Sequence, residues 1–302
     1  MAHDLPHTVD PVAARRWAQR AHSESPWLHE EVARRMAERL DVIRLPVQRW
    51  AHWEPVRSGM AGHDLVAAHY PSAQSFKVLA HTEQAQAATN SEAIPWWKKW
   101  RQPSAAATDH VSAPAPGSAQ LVWANMLAHQ SADPQALMGD WHRALAVDGF
   151  VMFSCLGPDS LRELRDVYAA QGWAPPAQEF TDMHDWGDQL VAAGFADPVM
   201  DMEHITLTFE TPERLLAELR GLGRNLHPGR HAALRTPAWR ERLTHALDER
   251  LRPASGGPLP LTFEVIYGHA LKPAPRHSVA PKTTIALDDM REQLRRRDKG
   301  AP

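Results

Sequence analysis

Residues 120–156 read QLVWANMLAHQSADPQALMGDWHRALAVDGFVMFSCL, and this stretch decides the fold class. Leu121-Val122-Trp123-Ala124-Asn125 is short and apolar, the mark of a buried strand. Asp133-Pro134 suits a helix start, because an Asp side chain accepts orphan amide hydrogens and proline at the first helical position removes no helical hydrogen bond. The spacing predicts a helix from Asp133 to Leu145. Asp148-Gly149 then supplies a turn into a second apolar strand, Phe150 to Ser154. Strand, helix, turn and strand at this spacing make a βαβ crossover, which implies a parallel or mostly parallel sheet.

Downstream, helices are expected at Ser160–Gln171 and Met183–Ala193, with Gly194 ending the second as a left-handed cap. After Pro198, the imperfect alternation from Asp201 to Phe209 reads as a strand. Helices at Pro212–Gly221 and Pro237–Arg252 follow, then an apolar strand at Leu259–Leu271. The tail from Lys272, rich in Pro, Lys and Arg, is expected to be disordered or a loosely attached helix. Upstream, apolar residues recur at three or four positions between Pro11 and Leu45, which predicts two amphipathic helices broken at Ser23–Pro26. A short strand at Arg49–Trp53, a loop at Glu54–Gly62, a helical run through Leu65–Ala68 and a strand at Ser75–Leu79 complete the pattern. Residues Gln84–Pro116 carry little periodicity and read as a loop with at most one helical piece.

The chain has 302 residues, 43% of them hydrophobic, enough for a substantial core. A net charge of −3 gives no electrostatic footprint for nucleic acid. No run approaches the ~20 apolar residues of a membrane span. The single cysteine, Cys155, cannot form an intramolecular disulfide, and Met1 leads into a polar stretch, so a cytoplasmic location is expected. The 18 histidines fall into no HExxH pattern and pair with no cysteines, so no metal site is expected. Gly157-Pro158-Asp159-Ser160 lacks the Gly-x-Ser-x-Gly elbow of a hydrolase nucleophile.

Several of these segments carry a resemblance. Leu121–Asn125, Gly149, Gly157-Pro158-Asp159, Asp182-Met183-His184-Asp185, Ala193-Gly194-Phe195 and the closing VIYGHA at Val265–Ala270 occur in the order and spacing of the malonyl-acyl-carrier-protein O-methyltransferases of biotin synthesis. WLHEEVARRMAERLDVIRL, from Trp27, resembles the helix preceding the cofactor domain of that family. The resemblance covers most of Pro11–Leu271 and is weakest across Gln48–Ser118. It implies an α/β fold: a Rossmann-like class I methyltransferase sheet with helices on both faces and a helical cap. It also implies S-adenosylmethionine as cofactor, with a malonyl thioester or acyl carrier protein as partner. The implied division is N-terminal helices at 1–45, a cofactor half at 46–160, a C-terminal half with cap helices and last strands at 161–271, and a tail at 272–302.

Members of that family read roughly Val-Leu-Asp-x-Gly-Cys-Gly-x-Gly where the cofactor sits, glycines allowing close backbone approach. Here residues 50–62 read WAHWEPVRSGMAG, and only Gly59 and Gly62 remain nearby. Each is a candidate cofactor contact, or else part of an ordinary surface turn. Glu54 could replace the missing acid, although Pro55 restricts it. Where an acid would meet the ribose, FKVLAH offers Leu79 or His81, and Glu83 lies slightly too far on. Gln120 replaces the acid opening the fourth strand, and Asp109 is the candidate to meet the adenine amino group.

Asn125 and His129, just past the fourth strand, are candidates to contact the cofactor carboxylate or a substrate carbonyl; the alternative is that they cap a turn and pack. His184 is a candidate substrate contact or a helix-capping residue. The RNLHPGRH segment at Arg224–His231 and the Trp96-Trp97-Lys98-Lys99-Trp100 run could present cations and aromatic surface to an acidic partner. The tryptophans could instead fill an eroded cofactor cavity. No catalytic base is required, because a carboxylate acceptor is already ionised at neutral pH. Two functions follow: a carboxyl methyltransferase, or a methyltransferase-like binding or regulatory protein that no longer holds the cofactor.

Overall fold

The computed structural model describes residues 8–20, 24–79, 108–111 and 113–275. The crossover expected at residues 120–156 is present. Strand β4 (Ala119–Ala124) leads through helix α5 (Pro134–Ala144) into β5 (Leu145–Leu156), and the two strands pair in parallel. Asp133 caps α5, accepting the Ala136 amide at 2.9 Å, with Pro134 in the first turn. The expected turn at Asp148-Gly149 is instead an irregularity inside β5. Leu145 pairs with Ala119 and Phe150 with Leu121, so the extra residues bulge and Asp148 takes φ 63. An added Cβ on Gly149 would lie 2.9 Å from the Gln120 carbonyl, which explains the glycine.

Before the crossover come α1 (Pro11–Ala18), α2 (Trp27–Glu38), β1 (Arg49–Trp53), the single turn α3 (Pro55–Ser58), α4 (Ala61–His69), β2 (Gln74–Val78) and β3 (Thr108–Val111). After it come α6 (Arg162–Ala170), α7 (Met183–Ala192), β6 (Ala196–Phe209), α8 (Pro212–Leu222), α9 (Pro237–Leu251) and β7 (Leu259–Leu271). The strands form one sheet in the order β3-β2-β1-β4-β5-β7-β6, parallel except that β7 runs antiparallel to both its neighbours. That is the class I methyltransferase order the resemblance implied.

Three further expectations are corrected. The weakly patterned Gln84–Pro116 stretch contains an edge strand, β3, which pairs with β2 from Ser75↔Thr108 to Val78↔Val111. The Glu54–Gly62 segment holds a helical turn, and α4 already begins at Ala61. Strand β6 starts at Ala196 rather than Asp201, because Pro198 sits on an edge strand where a missing amide hydrogen is tolerated. The register shift between Ala196 and Val199 absorbs it. The tryptophans at 96, 97 and 100, with His81 and Glu83, lie outside the described residues, as does the tail beyond 275.

Side chains alternate across the sheet as the pleat requires. Trp50, Leu121, Trp123, Phe150 and Met152 join one apolar layer with Leu28, Val32 and Met36 of α2 and Leu243 and Leu247 of α9. Ala51, Val122, Ala124, Val151 and Phe153 join the other, against Met138 and Trp141 of α5 and Trp186 and Leu190 of α7. Trp50, Trp123, Trp141 and Trp186 are fully buried, and their indole Nε1 atoms have no partner. Burying about 200 Å² of indole gives a gross gain near 5 kcal/mol, against about 2 kcal/mol for an unpaired donor, so burial wins. Among the described residues no helix is long and apolar enough to cross a membrane.

Candidate functional site

Strand order reverses between β1 and β4, and in open α/β sheets the ligand crevice lies at the carboxyl ends of the strands flanking that point. After Trp53 the backbone enters the left-handed region at Glu54 (φ 49, ψ 57). The Glu54 amide donates to the Val78 carbonyl at 2.8 Å, and its carbonyl accepts from Arg57 and Ser58 at 3.0 and 2.9 Å. Inside this turn the Ser58 hydroxyl donates to the Trp53 carbonyl at 3.0 Å and lies 2.9 Å from Nε2 of buried His52. Burial, with His63 and Lys77 nearby, holds the His52 pKa well below the ordinary histidine value.

Gly59 and Gly62 both face helix α2. A Cβ on Gly59 (φ 105) would lie 3.0 Å from the His29 carbonyl, and one on Gly62 would lie 3.0 Å from the Ala33 Cβ. These glycines let α2 approach the sheet end closely. Asn125 ties the same elements from the β4 side and is fully buried. Its Nδ2 donates to the carbonyls of His29, at 2.8 Å, and of Ser58, while its Oδ1 accepts from the Ser154 hydroxyl at 2.6 Å. Ser154 in turn accepts the Met126 amide at 3.0 Å.

Beside these elements is a crevice of about 300 Å³. Trp53, Glu54 and Arg57 form one wall, Leu127, Gln130 and Asp133 another, and Ala14, Arg15 and Ala18 of α1 cover it. Gln130 is its hinge point: Oε1 accepts from Trp17 Nε1 and from Arg57 Nη2, both at 2.8 Å. Burial pushes the Arg57 pKa down, opposed by the charge of Glu54. Arg57 Nε has no partner.

A second, apolar cavity of about 540 Å³ opens on the other side of Gln130, with Leu161, Leu164, Phe180, Leu219, Trp239 and Phe263 in its wall. His129 lies at its inner end: Nδ1 accepts the Leu156 amide at 3.3 Å, the ring meets Phe180 edge-on, and the carbonyl accepts from Gln178 at 3.2 Å. Burial, then His29 and Arg57, push the His129 pKa down to about 3, so the ring is neutral at pH 7. Arg220, Arg224, Arg235 and Arg240 also line this cavity.

His184 lies outside both cavities. Its side chain is 82% exposed, and its amide donates to the Asp182 carboxylate that caps α7. Asp109 is in β3 opposite Phe76. In the RNLHPGRH segment, Arg224 stacks over Trp17, while Arg230 pairs with Asp10 at 2.7 Å, pinning α1. Asp159, His204 and Glu264 bring potential ligand atoms within 4.8 Å of one another. Glu264 is engaged by the Asp159 amide at 2.6 Å, so this group braces the turn between β5 and α6. Arg57, Gln130 and Trp17 were not identified from sequence; they are joined across 73 and 113 positions, beyond any local pattern.

No protein-family model matches the chain. It is 38% identical over 276 residues to the malonyl-[acyl-carrier protein] O-methyltransferase of Gallionella capsiferriformans, covering 89% of this chain and 93% of that one. Against the protein of the same name from Laribacter hongkongensis, identity is 39% over 257 residues, with 82% and 84% covered. Among solved structures, the YcgJ protein of Bacillus subtilis matches in fold with a TM-score of 0.51 at 13% identity, over 81% of this chain and 99% of that one.

Proposed function

Since the chain belongs to the malonyl-acyl-carrier-protein O-methyltransferase family, we propose that it moves a methyl group from S-adenosylmethionine to the free carboxylate of a malonyl thioester on acyl carrier protein. The observation that carries this reading is the meeting of two cavities at Gln130, one at the switch point with Glu54, Arg57 and Asp133 in its wall, the other larger and capped by helices. A group transfer needs a donor site and an acceptor site that touch.

The charged residues of the switch-point crevice fit the cofactor. Trp53 and Glu54 offer an aromatic face and a carboxylate, both suited to a positive centre. When bound, the cofactor supplies an electrophilic methyl on a sulfonium. The remaining work falls to the residues of the chain. The apolar cavity strips water from an entering carboxylate, and its lining suits the uncharged ester that leaves. Neutral His129 adds no cation at the inner end, so it does not hold the carboxylate back from reaction. The arginines toward α8 and α9 present positive charge to an acidic carrier protein, which favours encounter.

Titration calorimetry with S-adenosylhomocysteine, followed by methyl transfer to malonyl-acyl carrier protein, tests the proposal. Micromolar binding, about −8 kcal/mol, and formation of the methyl ester are expected. An unchanged melting temperature at saturating ligand, with no heat of binding, would overturn it in favour of the non-catalytic alternative.

A further inference from the structure

A chain that folds its glycines against α2 needs another way to grip a ligand at the end of β1, and the crevice wall holds a group suited to that. Arg57 follows Glu54 by three residues in the α3 turn, and both line the crevice. Its Nη2 donates to Gln130 at 2.8 Å and its Nε is buried and unpartnered, while the charge of Glu54 acts on it with no hydrogen bond between the two among the described residues. A neutral amide, and a Glu54 charge that is not hydrogen-bonded to the guanidinium, offset only part of the cost of withdrawing a full charge from water. An arginine kept in that state is matched by an anion, and guanidinium geometry favours a carboxylate bound through two parallel hydrogen bonds.

Given the methyltransferase reading above, on which this inference rests, we propose that Arg57 anchors the α-carboxylate of the cofactor's amino-acid end, a side-chain replacement for the glycine-loop contacts this chain lacks. Glu54 lies on the same wall, so the crevice lining carries an anion as well as a cation. The malonyl carboxylate is the other carboxylate in the reaction. Arg57 lines the crevice and not the apolar cavity, which assigns it to the cofactor. Gln130, shared with Trp17 of α1, fixes the guanidinium while the covering helix is docked, making Gln130 a positioning residue for Arg57.

The test is titration calorimetry of the full chain and of Arg57→Gln and Arg57→Lys with two ligands: S-adenosylhomocysteine, and 5′-methylthioadenosine, which lacks the amino-acid end. The wild-type chain is expected to prefer S-adenosylhomocysteine by at least tenfold. Arg57→Gln should lose at least tenfold for that ligand with methylthioadenosine unchanged, and Arg57→Lys should recover part of the loss. Equal losses for both ligands, or no loss for either, would overturn the anchor while leaving the methyltransferase reading standing. Absence of binding by either ligand to the wild-type chain overturns both. If Arg57→Gln fails to fold, judged by its near-ultraviolet circular dichroism, the wild-type preference and the Arg57→Lys titration decide; a preference near one overturns the anchor.

Discussion

At the end of β4 the chain turns on Asn125, whose three hydrogen bonds go to His29, Ser58 and Ser154. At the end of β1, beside it, the turn depends on backbone shape, with Glu54 at φ 49 and Gly59 at φ 105. One end is held by a buried polar side chain and the other by left-handed conformations, and both hold α2 against the sheet. The residue types that would mark a ligand loop by sequence are here spent on packing. The group facing the crevice at β1 is a charged side chain three residues past a left-handed glutamate. Substitution at a motif is thus compatible with an intact strand end.

The comparison can be broken most severely on the β4 side. Asn125→Leu leaves the His29 and Ser58 carbonyls and the Ser154 hydroxyl without their buried partner, and should cost about 4 kcal/mol in urea unfolding. A loss under about 1 kcal/mol would mean that water or a local shift replaces the tie.

Acid separates the two ends next. His52 in β1 and His129 past β4 have folded pKa values depressed by burial, His129 to about 3. Such a histidine binds its proton more readily in the unfolded chain, so its stabilising contribution is complete above pH 6.5. That contribution falls as pH drops toward the folded value. His129 alone should remove about 3 kcal/mol between pH 7 and pH 4.5. Denaturant midpoints across this range check it, and His129→Gln should flatten the slope. An unaltered slope would show that His129 does not carry the effect.

On the β1 side, Gly59→Ala forces a Cβ into a left-handed position 3.0 Å from the His29 carbonyl, with an expected cost of about 2 kcal/mol in the same assay. Smallest of all should be Arg39→Leu, far from either end. It removes a part-exposed ion pair with Asp201 and a cation stacked on Tyr267, together worth less than about 1 kcal/mol. A larger loss there would show that the β6–β7 edge, and not the switch point, limits stability.

The fold was legible where signals were local. The Asp133 cap, the apolar β4 and β5 runs and the Gly194 terminator each act within a few residues, and the elements they predict are found. What was not legible depends on position in the sheet. Thr108–Val111 is too short to alternate and becomes a strand only because β2 offers it an edge. Pro198 reads as a break until β6 is known to be an edge strand. At the site, sequence named Asn125 and His129, and the structure places one in the tie between β4 and α2 and the other at the inner end of the apolar cavity. It did not name Arg57 or Gln130, whose association exists only once β1 and β4 are neighbours.

The strand order also has a consequence for synthesis. β1 and β2 can pair as soon as residue 78 has left the ribosome, yet the other hydrogen-bonding edge of β1, a strand with buried Trp50 and Ala51, has no partner until β4 begins at Ala119. At about 5–20 residues per second the roughly 65 residues between β1 and β4 take on the order of 3 to 13 seconds. For that interval the nascent chain displays an open, apolar strand edge. Chaperone capture during translation should therefore concentrate on chains stalled before Ala119 and fall away once β4 has emerged.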